Sequence, residues 1–209
     1  MGTGEDGARI AALKPMPPAI FACAGGRVLL PDRRLVLVDR RDGGNLVVVP
    51  PRDVWERREL VPEELTRFSF LVAAAGSAML DVLPQLAGGC VNYWEAGNWS
   101  LNEAAEPRGP KRARAHRRVH LHLLGRSPAA SDPSWRWGEA PRFPSFAERH
   151  EWAARFERLT PGECRAVADR IEEVLVERYR CAREDVAPRP SCPSCGMPAP
   201  GGCSECRAA

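Results

Sequence analysis

The stretch Arg118-Val119-His120-Leu121-His122-Leu123-Leu124-Gly125-Arg126 decides how this chain is read. Polar and apolar residues alternate along it, the pattern of a β-strand with one buried face. Val119, Leu121 and Leu123 fall on the buried side, and Arg118, His120 and His122 on the other. Two imidazoles and a guanidinium on one strand face make a cationic site. Histidine serves as a metal ligand and as an acid or base. The pair alone therefore leaves open a metal pair, a catalytic pair and two solvated side chains. No third histidine or carboxylate at an obvious ligand spacing accompanies it.

Upstream, a basic stretch (Arg108, Lys111, Arg112, Arg114, Arg117, Arg118) runs straight into this strand. Charge runs are usually solvated loops. This one is also placed to attract a polyphosphate or a nucleic-acid end. Cys90 to Trp94 reads as a strand. Before it, Pro62-Glu63-Glu64 opens a helix, with proline in the first turn and carboxylates at the positive end of the dipole. Leu65, Phe68, Val72, Ala75, Met79 and Val82 follow at steps of three and four and form one apolar stripe. Nearer the start, Arg27–Leu30 and Arg34–Val38 read as two strands around Pro31-Asp32-Arg33. Asn45–Val49 reads as a third, stopped by Pro50-Pro51. Residues 1–20 read as a flexible arm. Strands, a covering helix and two further strands predict an α+β fold with an antiparallel sheet.

Past Pro128 the composition shifts to prolines, charges and scattered aromatics, from Trp135 to Phe156. This segment reads as a packing cluster, with a base-stacking surface or a lid as alternatives. Thr160-Pro161-Gly162-Glu163 is a capping box. It opens a helix to about Arg180 that carries Cys164, Val167, Ile171 and Val174 on one face. His150 reads as a surface or helix residue.

Four of the eight cysteines stand in the last eighteen residues as Cys192-Pro-Ser-Cys195 and Cys203-Ser-Glu-Cys206. Two Cys-x-x-Cys pairs can close a tetrahedral zinc site, with a redox dithiol or iron–sulfur ligation as the alternatives. Four protein ligands leave no open position, so the expected Zn2+ is structural. The lone Cys23, Cys90, Cys164 and Cys181 are expected to be buried as small apolar residues.

The histidine strand resembles the signature of the histidine-triad (HIT) family, His-φ-His-φ-His followed by two apolar residues. The order of Arg34–Asp39, Gly44–Pro50 and the helix from Pro62 resembles that family too, and Asn102-Glu103 resembles the asparagine-containing stretch before its triad. The resemblance covers about residues 21–128. It implies a nucleotide hydrolase or nucleotidyl transferase acting on a phosphoanhydride or phosphoramidate, dinucleoside polyphosphates included. His120 would attack the α-phosphorus and His122 would hold a phosphate oxygen. Arg118, Asn45, Asn102 and Lys111 are the phosphate- or ribose-binding candidates. Val28, Leu30 and Val38 are candidates for the base pocket, although core burial is the ordinary use of such residues. Family members often pair as homodimers. Two positions depart from the pattern: Arg118 replaces the first histidine and Asn45 replaces another. A guanidinium does not shuttle protons, but it clamps phosphate oxygens. These departures support the alternative reading of a nucleotide- or nucleic-acid-binding protein with little turnover, its partner chosen by the zinc tail and the basic loop.

The organisation expected is thus an arm (1–20), a HIT-like nucleotide-binding domain (21–128), an aromatic and helical extension (129–185) and a zinc knuckle (186–209). The 209 residues, with 44% hydrophobic and 27% charged, suit a globular protein of one core plus an appendage. A net charge of +3 argues against bulk nucleic-acid binding. The longest apolar stretch, Phe70 to Leu80, is too short to span a bilayer, and no secretory signal is read at the N-terminus. A cytoplasmic protein with no membrane partner is expected.

Overall fold

The structure is a computed structural model that describes residues 19–95 and 97–186. Five strands form one antiparallel sheet: β1 (Ala19–Cys23), β2 (Gly26–Leu29), β3 (Asn45–Val49), β4 (Cys90–Glu95) and β5 (Leu121–Arg126). Their order is β1-β2-β3-β5-β4. The histidine-bearing strand β5 is therefore interior, paired with β3 on one side and β4 on the other. An interior strand packed on both faces is apolar along most of its length, and β5 is buried at every position except His122.

Helix α1 (Pro62–Val82) covers the first face of the sheet. Its start is fixed as the sequence implies, with proline at the first turn and the Glu64 carboxylate accepting the Val61 N–H at 3.0 Å. Its burial is wider than one stripe. Phe68, Leu71, Ala74, Ala75, Ala78 and Met79 are buried, while Leu65, Val72 and Val82 are only partly so. The reason is a second helix. Helix α4 (Pro161–Glu177) packs beside α1 and also meets β1, so α1 is buried against both the sheet and α4. By length and composition α1 is long and apolar enough to cross a membrane; here its buried residues belong to the main core, while Thr66, Ser69, Leu80 and Asp81 remain exposed.

The capping box of α4 is present in both directions: Thr160 Oγ accepts the Glu163 N–H at 3.2 Å, and Glu163 accepts the Thr160 N–H at 2.7 Å. Cys164, Val167, Ile171 and Val174 face inward. They join the cluster that holds Phe68 and Leu123. Residues beyond 128 thus share the core with the sheet. Two shorter helices, α2 (Ala113–His116) and α3 (Arg149–Ala154), precede α4, and α5 (Arg183–Val186) follows it.

The second face carries a smaller cluster of Leu37, Val38, Leu124 and Trp135. Here the structure corrects the sequence. Arg34–Val38 is not a strand. A single 3-10 turn, Arg33–Leu35, is capped by Asp32, and an extended segment then crosses the second face without joining a ladder. Leu37 donates its N–H to Asn45 Oδ1 at 3.2 Å instead. Residues 19 and 20, read as part of an arm, belong to β1. The strand read from Arg118 starts at Leu121, because Val119 gives its N–H to the Val54 carbonyl at 2.9 Å. Asp42, 3% exposed, pins the chain after β5: its carboxylate accepts the N–H groups of Ser131 at 2.8 Å and Asp132 at 3.0 Å. The zinc knuckle and its ligand candidates Cys192, Cys195, Cys203 and Cys206 lie outside the described residues.

Candidate active site

The alternation along the histidine segment is present. Val119, Leu121 and Leu123 enter the main core. His120 and His122 project from the opposite face, ring centroids 5.1 Å apart and edge-on at 72°. His120 Nδ1 lies 2.8 Å from the carbonyl oxygen of Arg118. A carbonyl only accepts, so Nδ1 carries the proton and Nε2 keeps its lone pair. Burial pushes the His120 imidazole below its ordinary value of 6.5, against the opposing pull of the Arg118 carbonyl and the Glu95 charge. Burial, with His120 as neighbour, holds His122 down to about 3. Both rings are neutral at pH 7. His122 Nδ1 is buried and has no hydrogen-bond partner among the described residues.

In the sheet, His122 is flanked by Val47 of β3 and Trp94 of β4. The Trp94 ring lies 5.6 Å from His122 and stacks on Phe143 at 4.4 Å. Trp135 meets Phe143 edge-on at 5.9 Å and donates its Nε1–H to the Gly125 carbonyl at 2.7 Å. The Arg126 guanidinium rests 4.7 Å over the Trp135 ring and donates to the carbonyls of Arg136 and Glu139. Sequence reasoning missed Trp94 as a site residue. It follows from the β4–β5 register, for which the sequence holds no signal.

A charge cluster closes the other end of the site. Arg117 donates to the Trp55 carbonyl at 2.7 Å and to Glu56 Oε2 at 2.8 Å, and lies 3.6 Å from Glu95. Glu95 also pairs with Arg57. Arg117 is thereby neutralised rather than free for phosphate.

The binding candidates fare differently from the histidines. Asn45 is 2% exposed and serves the fold: its Oδ1 takes the Leu37 N–H and its Nδ2 donates to the Leu46 carbonyl. Lys111 Nζ donates to the carbonyls of Asn102, Ala105 and Gly109, which engages all three of its protons in stapling its own loop. Asn102 Oδ1 accepts the Ala104 N–H in an exposed turn. Arg118 Nη1 folds back onto the carbonyls of Arg114 and Arg117 at the end of α2. None of these four side chains hydrogen-bonds to a histidine. Val28 and Val38, 0% and 2% exposed, are spent in the core clusters. His150 is exposed, as expected, and meets the Arg34 carbonyl. Of the lone cysteines, Cys164 is buried, Cys23 and Cys181 are half-buried, and Cys90 is exposed on the edge strand, contrary to expectation.

Among the described residues no group of three or more His, Cys, Asp or Glu is placed to hold a metal ion. Two cavities, of about 470 Å3 beside Cys23 and Tyr179 and about 690 Å3 beside Arg40 and Phe156, are lined by other residues than the histidines.

No family model and no curated protein matches this chain. Its structure is similar to that of a histidine triad (HIT) protein from Sinorhizobium meliloti 1021, with 22% identity and a TM-score of 0.41, covering 76% of this chain and 89% of that one.

Proposed function

We propose that this protein transfers or hydrolyses nucleotidyl groups through His120. The observation that carries the reading is the bond from His120 Nδ1–H to the Arg118 carbonyl, which leaves Nε2 as a bare, fixed nucleophile. The resemblance of the histidine strand to the triad signature supplies the substrate class, a nucleotide with a leaving group on its α-phosphorus. Nε2 attacks phosphorus, a P–N bond forms, and the P–O or P–N bond to the leaving group breaks with its electron pair. Water then attacks the same phosphorus, the histidine P–N bond breaks, and Nε2 regains its lone pair. A water proton goes to solvent. His122, neutral, donates an N–H to a phosphoryl oxygen and steadies the charge that builds there. The Cys192, Cys195, Cys203 and Cys206 tail holds a structural Zn2+, and the protein works in the cytoplasm.

A second reading has its own support. The Arg118 guanidinium is engaged by backbone carbonyls, and a guanidinium is no proton shuttle for a leaving group. That favours a nucleotide- or nucleic-acid-binding protein with little turnover.

The experiment is intact-mass analysis of the full chain after incubation with adenylylated and guanylylated substrates, quenched without acid. A nucleotidyl adduct that is absent from His120→Ala is expected. Nucleotide binding with neither adduct nor product moves the function to the second reading.

A further inference from the structure

We infer that the indole face of Trp94 is the seat of a purine base, a seat on which the Phe143 ring now lies. The inference rests on the nucleotide reading of His120. A nucleotide held at His120 needs a flat apolar surface within its own length of the nucleophile. The earlier base-pocket candidates do not offer one, since Val28 and Val38 are committed to the core and Leu30 packs against it. Trp94 does. It is the cross-strand partner of His122, its ring 5.6 Å from that imidazole, and His122 is in turn 5.1 Å from His120. All three rings share one face of the sheet. A base on Trp94 thus puts its sugar and phosphate toward the histidine pair.

Phe143 shows that the indole face accepts a flat ring. It lies on Trp94 at 4.4 Å with an interplanar angle of 23°, true stacking geometry, yet remains 36% exposed. It belongs to a segment with no helix or strand, tied at the neighbouring Arg142 N–H to the Ser134 carbonyl. Lifting Phe143 off Trp94 therefore breaks no ladder. Trp135 is not an equivalent platform. It is 3% exposed, hydrogen-bonded through its Nε1–H and covered by the Arg126 guanidinium. Base–aromatic stacking is sequence-tolerant but grows with ring overlap, which favours a purine over a pyrimidine.

The test is calorimetric titration of the full chain with AMP, CMP and ribose 5-phosphate, in wild type, Trp94→Leu and Phe143→Ala. AMP is expected to bind about tenfold tighter than ribose 5-phosphate, with CMP between them. Trp94→Leu should bring AMP down to the ribose 5-phosphate level and leave ribose 5-phosphate itself unchanged, which also reports an intact fold. Phe143→Ala, a change at a partly exposed loop residue, should tighten AMP binding. Equal affinity of the wild type for AMP and ribose 5-phosphate, or weaker AMP binding in Phe143→Ala, overturns the base seat while leaving the His120 chemistry standing. Failure of the wild type to bind any of the three, together with no adduct on His120, removes the nucleotide reading and this inference with it.

Discussion

His120 donates its Nδ1–H to the carbonyl of Arg118, two residues earlier, at 2.8 Å. A backbone acceptor cannot be lost by mutating a side chain, so the tautomer is built into the path of the chain just before β5. Because burial lowers the His120 imidazole below 6.5, the ring stays neutral and nucleophilic into mildly acidic pH. The rate of adduct formation should hold level from pH 8 down past 6.5 and fall only below it. Single-turnover mass spectrometry across pH reads this. A half-loss already at pH 6.5 would show an ordinary, solvated imidazole.

The leaving group provides a second test. A phosphate departs as a stable anion, whereas an amine needs a proton as it leaves. Arg118 does not give one up, and His122, at about 3, holds none to spare near pH 7. Phosphoanhydrides should therefore react at least about tenfold faster than phosphoramidates of the same nucleotide. Competition between the two in one reaction measures the ratio, and equal rates would require an acid that these residues do not supply.

His122 also links pH to stability. Its value is about 3 in the folded chain against an ordinary 6.5. Above 6.5 both states hold a neutral ring and the fold keeps its full stability. As pH falls below 6.5 the unfolded chain takes up a proton that the folded chain refuses, so stability declines, and it does so until about pH 3. His122→Gln should flatten the fall in Tm between pH 6.5 and 5, a window above the titration of ordinary carboxylates. Parallel wild-type and variant curves in scanning calorimetry would contradict it.

Asp42 anchors the turn after β5 through the N–H groups of Ser131 and Asp132. Asp42→Ala leaves both donors without their charged acceptor and should cost about 2–3 kcal/mol in urea unfolding. Asp42→Asn, which keeps one carbonyl oxygen, should cost roughly half of that. A change within about 0.5 kcal/mol for the alanine variant would mean that water replaces the carboxylate.

The zinc proposal is read by elemental analysis of the purified chain. About one zinc per chain is expected, lost in a Cys192→Ser, Cys203→Ser double variant. Wild-type protein purified without chelator and free of zinc would count against it.

Local signals in this sequence carry through where the physics is local. The alternation of residues 118 to 126 specifies a strand segment with its histidines on one side, because side-chain direction in a strand has a period of two. The capping box at Thr160 and Glu163 and the proline at the start of α1 specify helix starts, because the groups that satisfy a helix terminus lie within four residues of it. The polar side chains show where such reasoning stops. Asn45, Lys111 and Arg118 carry the right chemistry for phosphate, but each is engaged by backbone groups of the fold. A hydrogen bond taken by a backbone partner leaves no mark on composition or spacing.

Local pattern is thus enough to find the histidine pair, its shared face and the starts of the two long helices. Tertiary packing sets the rest: β5 lies between β3 and β4, Arg34–Val38 crosses the second face as a cover, and Trp94 and Phe143 stand beside His122. Strand register and layer order are set by contacts between residues far apart in the chain. Those contacts depend on which apolar surfaces best exclude water together, and no local pattern encodes that choice.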